Sequence, residues 1–186
     1  IGGKPGEGLS PVDIVKFTAA FGTWLLQQGG SSKKVVIGRD GRISGPMVRN
    51  LVVSTLNALG IEVVDLGLST TPTVELAVPL EAAAGGIILT ASHNPQQWNA
   101  LKLLNHKGEF ISGDDGAAVL EIAAKEAFDF VSVDALGSLS ENDSYLQQHI
   151  DAVLAYPLVN ANAIAQSGLK VVVDGINSTG AIFVPA

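Results

Sequence analysis

Short apolar runs alternate with helical patterns along the first ninety residues, and this alternation constrains the fold more than any other feature of the chain. The runs read KVVIG at 34–38, IEVVDLG at 61–67 and GGIILT at 85–90. They are nearly all apolar, as expected of strands whose sheet is covered on both faces. Strands that alternate with helices in this way are typical of parallel crossovers. We therefore predict an α/β fold with a mainly parallel, mixed sheet sandwiched by helices.

Helix-start and helix-stop residues frame the segments between these strands. Ser10 suits the N-cap of the first helix, with Pro11 in its first turn and a Gly-Gly pair as its stop. The second helix should end at Gly60, and Thr71 should cap a short third helix. The remaining predicted elements are helices at 112–127 and 144–156 and strands at 100–104 and 169–174.

We divide the chain into two domains. Residues 1–143 form the predicted first domain, and residues 144–186 begin a second, similar α/β domain. The evidence for the second is LKVVVDGINSTG, which reads as a strand followed by a glycine-rich loop. The chain opens at Ile1 in the loop IGGKPGEG and stops at IFVPA as a new pattern starts. We therefore expect it to be a fragment of a longer protein.

Composition excludes several classes of function. The chain is 47% apolar, enough for a full core, and 11 Lys and Arg against 18 Asp and Glu give a net charge of −7. An acidic sum argues against nucleic acid or an anionic membrane as the main partner. The absence of cysteine excludes a disulfide scaffold, thiol catalysis and thiolate metal sites. No apolar run reaches the ~18 residues of a membrane helix, so the cytoplasm is the simplest expected compartment.

Three loops follow the predicted strands, namely GRDGRISG, LSTTP and TASHNP. Ligands of open α/β sheets bind beyond the carboxyl ends of the strands. Because parallel strands end at the same edge of the sheet, these loops should rim one common edge. A binding site is expected there on topology alone.

The loop TASHNPQQWNALK gathers several polar side chains after a buried strand. Ser92 needs a base or a nearby charge to react, and His93, as its chain neighbour, need not face it. The flanks are not G-x-S-x-G, so an α/β-hydrolase elbow is absent. Lys102 could fold back and favour an anion at Ser92, above all a phosphate. The alternative is a polar turn in which His93 and Asn94 cap backbone groups, and both interpretations stay open at this point.

The other polar segments are less specific. Arg39 and Arg42 in GRDGRISG could bind phosphate, although an Asp40–arginine pair that braces a turn is the commoner arrangement. GINSTG matches neither the P-loop nor G-x-G-x-x-G, so nucleotide binding has no support. The histidines do not cluster with carboxylates, and we assign His106 and His149 to solvent.

The serine loop resembles the active-site loop of the α-D-phosphohexomutases, which usually reads T-A/G-S-H-N-P followed after a short spacer by N-G-x-K. GRDGRISG before a helix, LSTTP between the two loops and LKVVVDGINSTG also look like that family. The resemblance covers essentially the whole chain and has its most specific element in the serine loop.

The resemblance implies a four-domain enzyme that moves a phosphoryl group between the 1- and 6-positions of a hexose phosphate. Ser92 would carry the phosphate, Lys102 would assist the transfer, and His93 and Asn94 would shape the phosphate site. A magnesium ion, Mg²⁺, would touch the phosphate on Ser92 and would otherwise be held by aspartates of a second-domain loop. A glucose 1,6-bisphosphate-type activator would prime Ser92. The partner is a small phosphosugar rather than nucleic acid or membrane, and the oligomeric state stays open.

Departures from the family pattern limit these expectations. The arginine-bearing stretch that would precede Ile1 is missing, as are the loops of the later domains that hold magnesium, read the sugar and clamp its phosphate. Ala100 stands where the family usually has glycine, which could alter the loop before Lys102. A fragment of this kind should hold the serine loop without turning over.

More than one substrate and more than one class of function are compatible with the sequence. Phosphoglucomutase/phosphomannomutase and phosphoglucosamine mutase share this serine loop, so the preferred hexose is open. A non-catalytic sugar-phosphate-binding module with the same fold is the rival from another class, and a hydrolase that uses Ser92 is a weaker third reading.

Overall fold

The computed structural model describes residues 1–2 and 8–186, so most of the predicted opening loop lies outside the described part. The strands are β1 Lys34–Arg39, β2 Glu62–Leu68, β3 Gly85–Leu89, β4 Leu101–Leu104 and β5 Leu139–Glu141. The helices are α1 Pro11–Gln27, α2 Gly45–Ala58, α3 Thr71–Leu80, α4 Gly113–Lys125, α5 Tyr145–Leu154, α6 Ala161–Gln166 and α7 Gly180–Phe183, with a 3₁₀ turn at Val133–Ala135.

The strands form one five-stranded sheet in the order β4-β3-β1-β2-β5. β1 pairs in parallel with β2 and β3, β2 pairs in parallel with β5, and β4 alone runs antiparallel, against β3. Helices α2 and α3 make the crossovers between the parallel strands, as the alternating pattern predicts. The predicted fold class is therefore confirmed.

Both faces of the sheet are covered. Alternate residues of β1 point to opposite faces: Val35 and Ile37 pack with α1, α2 and α4, whereas Val36 packs with α3 and with Tyr145 of α5. All five residues of β3 are buried. The apolar character of the strands thus follows from two hydrophobic layers, one on each face.

The helix ends follow the sequence signals with one correction. Ser10 forms a capping box with Asp13, and Gly60 ends the second helix with a φ of +74°. The prediction that Thr71 caps the third helix is wrong, because Thr71 is the first residue of α3. Thr70 has the extended backbone of an N-cap, and its side chain accepts from the Thr73 amide.

The prediction of a strand at 169–174 is wrong. These residues have no regular secondary structure, and Val172 is 96% exposed. A strand needs a neighbour to take up its backbone hydrogen bonds, and within residues 1–2 and 8–186 no strand pairs with this segment. Conversely, the segment 135–143, for which no element was predicted, contains β5 at the edge of the sheet.

α5 packs against α3. Tyr145 is buried in the hydrophobic cluster beside α3, and Nδ1 of His149 lies 2.8 Å from the Thr73 hydroxyl. His149 was expected in solvent, and that assignment is wrong because α5 lies against α3. His106 is exposed, as predicted. A domain boundary at residue 143 stays a prediction. In the described part of the chain, no helix is long and apolar enough to cross a membrane.

Candidate active site

Two of the three predicted loops meet at the carboxyl edge of the sheet. β1 and β3 are neighbours, so GRDGRISG and the serine loop lie side by side and line an open cavity of about 470 Å³. The turn at 176–178 lines the same cavity. LSTTP contacts the same edge, where the Ser69 amide donates to the Arg39 carbonyl at 2.9 Å, but it does not line this cavity.

Ser92 is exposed at the end of β3 and has a left-handed backbone with a φ of +52°. Its amide donates to Thr90 Oγ1 at 3.1 Å, which fixes the bend. Its hydroxyl lies 3.4 Å from Nδ1 of His93, a distance longer than that of a strong O–H···N bond. The pair therefore lacks the close contact of a serine–histidine dyad, and the hydroxyl faces the cavity edge as an accessible oxygen.

Arg42 holds the whole serine loop. Its Nη2 donates to the carbonyls of Ser92 and Asn94 at 2.6 and 3.0 Å, and its Nη1 donates to those of Pro95 and Trp98 at 2.9 and 3.0 Å. Its Nε pairs with Asp40 at 3.0 Å, so every guanidinium nitrogen is used. The interpretation of Asp40–Arg42 as a brace is confirmed, and the guanidinium has little left to offer a phosphate.

Asp40 ties the same loop to the sheet a second time. Its Oδ2 accepts from the Thr90 hydroxyl at 2.6 Å as well as from Arg42, and its Oδ1 accepts from the Arg42 amide at 3.1 Å. Sequence reasoning identified the Asp–Arg pair but missed its link to Ser92. The residues are fifty positions apart, and only the adjacency of β1 and β3 could have indicated that link.

Asn94 and Asn99 shape the loop from within. The Asn94 side chain donates to the Ala91 carbonyl at 2.9 Å, which is the capping role that the turn interpretation predicts. Asn99 is buried and donates to the Ser44 hydroxyl at 2.9 Å. Ala100 has no left-handed backbone, so alanine in place of glycine is tolerated there. His93 is exposed, and its Nδ1 lies beside the Ser92 hydroxyl.

Lys102 and Arg39 stand apart from the cavity. Lys102 lies opposite Ile88 in β4, and its Nζ is 5.9 Å from the Phe110 ring centroid. The structure does not bring it to Ser92, and its catalytic role stays a prediction. Arg39 lines a different cavity of about 340 Å³, beside an Arg49–Asp65 ion pair of 2.6 Å.

The described residues do not fit a complete magnesium site. In residues 1–2 and 8–186, no three His, Asp or Glu side chains are grouped so that they could hold a metal ion. Asp40, the carboxylate of the cavity lining, is already engaged by Arg42 and Thr90. A phosphate on Ser92 would supply at most one part of a magnesium shell.

Comparison with known proteins matches residues 1–130 to the family described as phosphoglucomutase/phosphomannomutase, alpha/beta/alpha domain I. A phosphoglucomutase/phosphomannomutase of Thermococcus kodakarensis is 34% identical over 98% of this chain and 40% of the relative. A phosphoglucosamine/phosphogalactosamine mutase of Sulfurisphaera tokodaii is 29% identical over 95% of this chain and 38% of the relative. The crystal structure of a phosphoglucomutase/phosphomannomutase family protein from Burkholderia thailandensis superposes with a TM-score of 0.68 at 29% identity, over 82% of this chain and 33% of that one. The chain spans about 40% of the length of the first of these relatives.

Proposed function

Because the chain belongs to the phosphoglucomutase/phosphomannomutase family, we propose that it supplies the phosphoserine-bearing part of a phosphohexomutase. This is an isomerase that interconverts a hexose 1-phosphate and a hexose 6-phosphate by intramolecular phosphotransfer. The observation that carries the proposal is the placement of Ser92, an exposed hydroxyl at the end of a buried strand and on the rim of a cavity.

The proposed reaction uses Ser92 as a carrier of one phosphoryl group. A sugar hydroxyl oxygen attacks the phosphorus, and the P–O bond to Ser92 Oγ breaks. The sugar hydroxyl gives up its proton, and Ser92 Oγ takes up a proton. A hexose bisphosphate and free serine result. The other phosphate of the bisphosphate then moves to Ser92 by the reverse step. Phosphoryl transfer asks mainly for positioning and for stabilised charge, and the rigid carbonyl contacts of Arg42 supply the positioning.

The remaining site residues enter as supporting groups. His93 lies beside the Ser92 hydroxyl and can donate to a phosphoryl oxygen there. Asn94 sets the shape of the loop by its bond to Ala91. Lys102 assists the transfer as a proton donor or phosphate ligand, which requires its flexible side chain to leave Phe110.

Cofactors and substrate belong to the same proposal. Magnesium would meet the phosphate on Ser92, with its other ligands outside the described residues, and a glucose 1,6-bisphosphate-type activator would prime the serine. The similar proteins named above include mutases of both neutral and amino sugars, so the substrate class is a hexose or hexosamine phosphate. A cytoplasmic location agrees with a cysteine-free chain that handles phosphorylated sugars.

Phosphate on Ser92 tests the proposal directly. After incubation of the full-length protein with glucose 1,6-bisphosphate, intact mass spectrometry should show a gain of one phosphoryl group. Ser92→Ala should abolish that gain and nearly all mutase turnover without unfolding the protein, because a loop hydroxyl supports little packing. Ser132→Ala is the matched control, since Ser132 is an exposed serine without a capping bond. Full turnover by Ser92→Ala would contradict the proposal, and binding of the bisphosphate without phosphoryl uptake would favour the non-catalytic module.

The isolated chain should not complete the reaction. It spans about 40% of the Thermococcus kodakarensis relative, and its described residues do not form a magnesium site. Mutase turnover by the 186-residue chain alone would show that this part of the proposal is wrong.

A further inference from the structure

The turn Gly175–Ser178, at the centre of GINSTG, lies against the serine site although it is far away in the sequence. The Ser178 hydroxyl accepts a hydrogen bond of 3.2 Å from the Gly41 amide, across 137 residues of chain. The two backbones also approach closely, because a Cβ added to Gly41 would lie 3.2 Å from the Asn177 carbonyl oxygen. A side chain at position 41 would therefore crowd the turn by a few tenths of an ångström.

The turn has a strained backbone. Ile176 and Asn177 both have left-handed φ values, +43° and +53°, and a β-branched residue is especially unfavourable in that region. The bond from the Ser178 amide to the Gly175 carbonyl, at 2.8 Å, closes the turn. Burial of the isoleucine does not compensate the strain, since Ile176 is 77% exposed. Strained segments of this kind concentrate at ligand sites.

The turn completes the cavity beside Ser92. Ser92 and Asn94 line it from the serine loop, and Asn177 and Ser178 line it from the turn. A volume of about 470 Å³ lies in the range of small-ligand pockets. Both segments carry hydroxyl and amide groups, which suit the hydroxyl and phosphoryl oxygens of a sugar phosphate.

We propose that Ser178 is a ligand-binding residue of the Ser92 site, and this inference rests on the proposed function. Its oxygen accepts from the Gly41 amide, while its own proton has no acceptor among the described residues. A serine hydroxyl can accept and donate at once. The free proton donates to a phosphoryl or hydroxyl oxygen of the phosphosugar in the cavity, and the Gly41 bond holds the hydroxyl in place. Residues 175–178 thereby form the second wall of a site whose first wall is the serine loop.

Amide NMR titration of this chain with glucose 1,6-bisphosphate tests the inference. The amide signals of Ser92 and Ser178 should shift together with one dissociation constant. Ser178→Ala should weaken binding about tenfold, the effect of a lost hydrogen bond to a charged group. Ser178→Thr keeps the hydroxyl and should restore most of the affinity. Ser167→Ala, in the same segment but outside the cavity, is the matched control and should bind as the parent chain does.

The outcomes separate the two proposals. A Ser92 shift with unchanged affinity in Ser178→Ala would overturn the role of Ser178 alone. A loss that Ser178→Thr fails to recover would overturn it too, since the hydroxyl would then be irrelevant. An absence of any Ser92 shift in the parent chain would overturn this inference, whereas the proposed function is decided separately by phosphoryl uptake on Ser92 of the full-length protein.

Discussion

Two similar stretches of sequence adopt different structures in this molecule. KVVIG at 34–38 becomes β1, and Val35 and Val36 are fully buried. KVVVDG at 170–175 forms no strand, and Val171 and Val172 are 78% and 96% exposed. The difference lies in the neighbours. β1 is paired on both sides by β2 and β3, whereas no described strand pairs with the second stretch. Apolar patterning shows that a segment can form a strand, but the strand forms only where another strand pairs with it.

The same contrast separates the two regions of the chain. From Ser10 to Tyr145 the helices and strands share two hydrophobic clusters, one on each sheet face. Beyond α5, large apolar side chains such as Leu158 and Leu169 are 85% and 76% exposed. The turn at 175–178 is the part of the later region that contacts the serine site.

Loss of Arg42 should have the largest effect on stability. Arg42→Ala removes four bonds to loop carbonyls and leaves Asp40 without its cation, so we expect a loss of about 3 kcal/mol. Urea unfolding measures the free energy, and hydrogen exchange should show reduced protection at 92–98. Lys170→Ala, an exposed cation in the later region, is the control and should change little. An unchanged midpoint in Arg42→Ala would show that the carbonyl contacts do not stabilise the loop.

A pair of valine substitutions tests the comparison itself. Val36→Ala removes fully buried methyl groups and should cost about 2 kcal/mol. Val172→Ala should stay within about 0.5 kcal/mol of the parent chain. Urea titration of both variants measures these changes in the free energy of unfolding. Equal losses would mean that Val172 is buried in solution and that the two stretches do not differ in burial.

The Glu81 carboxylate links β1 to the start of α5. Its carboxylate accepts from Lys34, Tyr145 and Asn142, at 3.0, 3.0 and 3.3 Å. Burial raises the pKa of Glu81, but the Lys34 and Tyr145 hydrogen bonds outweigh it and leave the pKa below its ordinary value of 4.5. Burial and the bond to Glu81 raise the pKa of Tyr145 to about 12.

The loss of the Tyr145 hydroxyl should have a moderate, pH-dependent effect. Tyr145→Phe should cost about 1 kcal/mol at neutral pH. The Glu81 contribution is present above pH 4.5 and is lost as the pH falls through its lowered pKa. The Tyr145 contribution is lost as the pH rises from 10.0 toward about 12. Thermal unfolding across pH checks both limits, and parallel curves for the parent chain and Tyr145→Phe would contradict this account.

The smallest expected effect is a gain in the stability of the turn at 175–178. Ile176→Gly relieves the left-handed strain of the turn and should stabilise it by about 0.5 kcal/mol, since glycine adopts that conformation freely but costs more chain entropy. Slower hydrogen exchange at the Gly41 amide would report the gain. Faster exchange would mean that the isoleucine side chain holds the turn in place.

The sequence by itself determined the local and periodic features of this protein. The apolar runs predicted three buried parallel strands, and Ser10 and Gly60 marked helix ends that the structure confirms. The TASHNP motif identified the exposed serine at the sheet edge. These features depend on residues within a turn or two of one another, and short-range sterics and hydrogen bonding encode them directly.

Only the tertiary structure decided which distant groups meet. It joined Arg42 to four carbonyls some fifty residues away and brought His149 to Thr73. It also left 169–174 without a partner strand among the described residues. It also brought Ser178 to the cavity that Ser92 lines. The physical reason is that periodicity states which face of an element is apolar but carries no information about which element that face will meet.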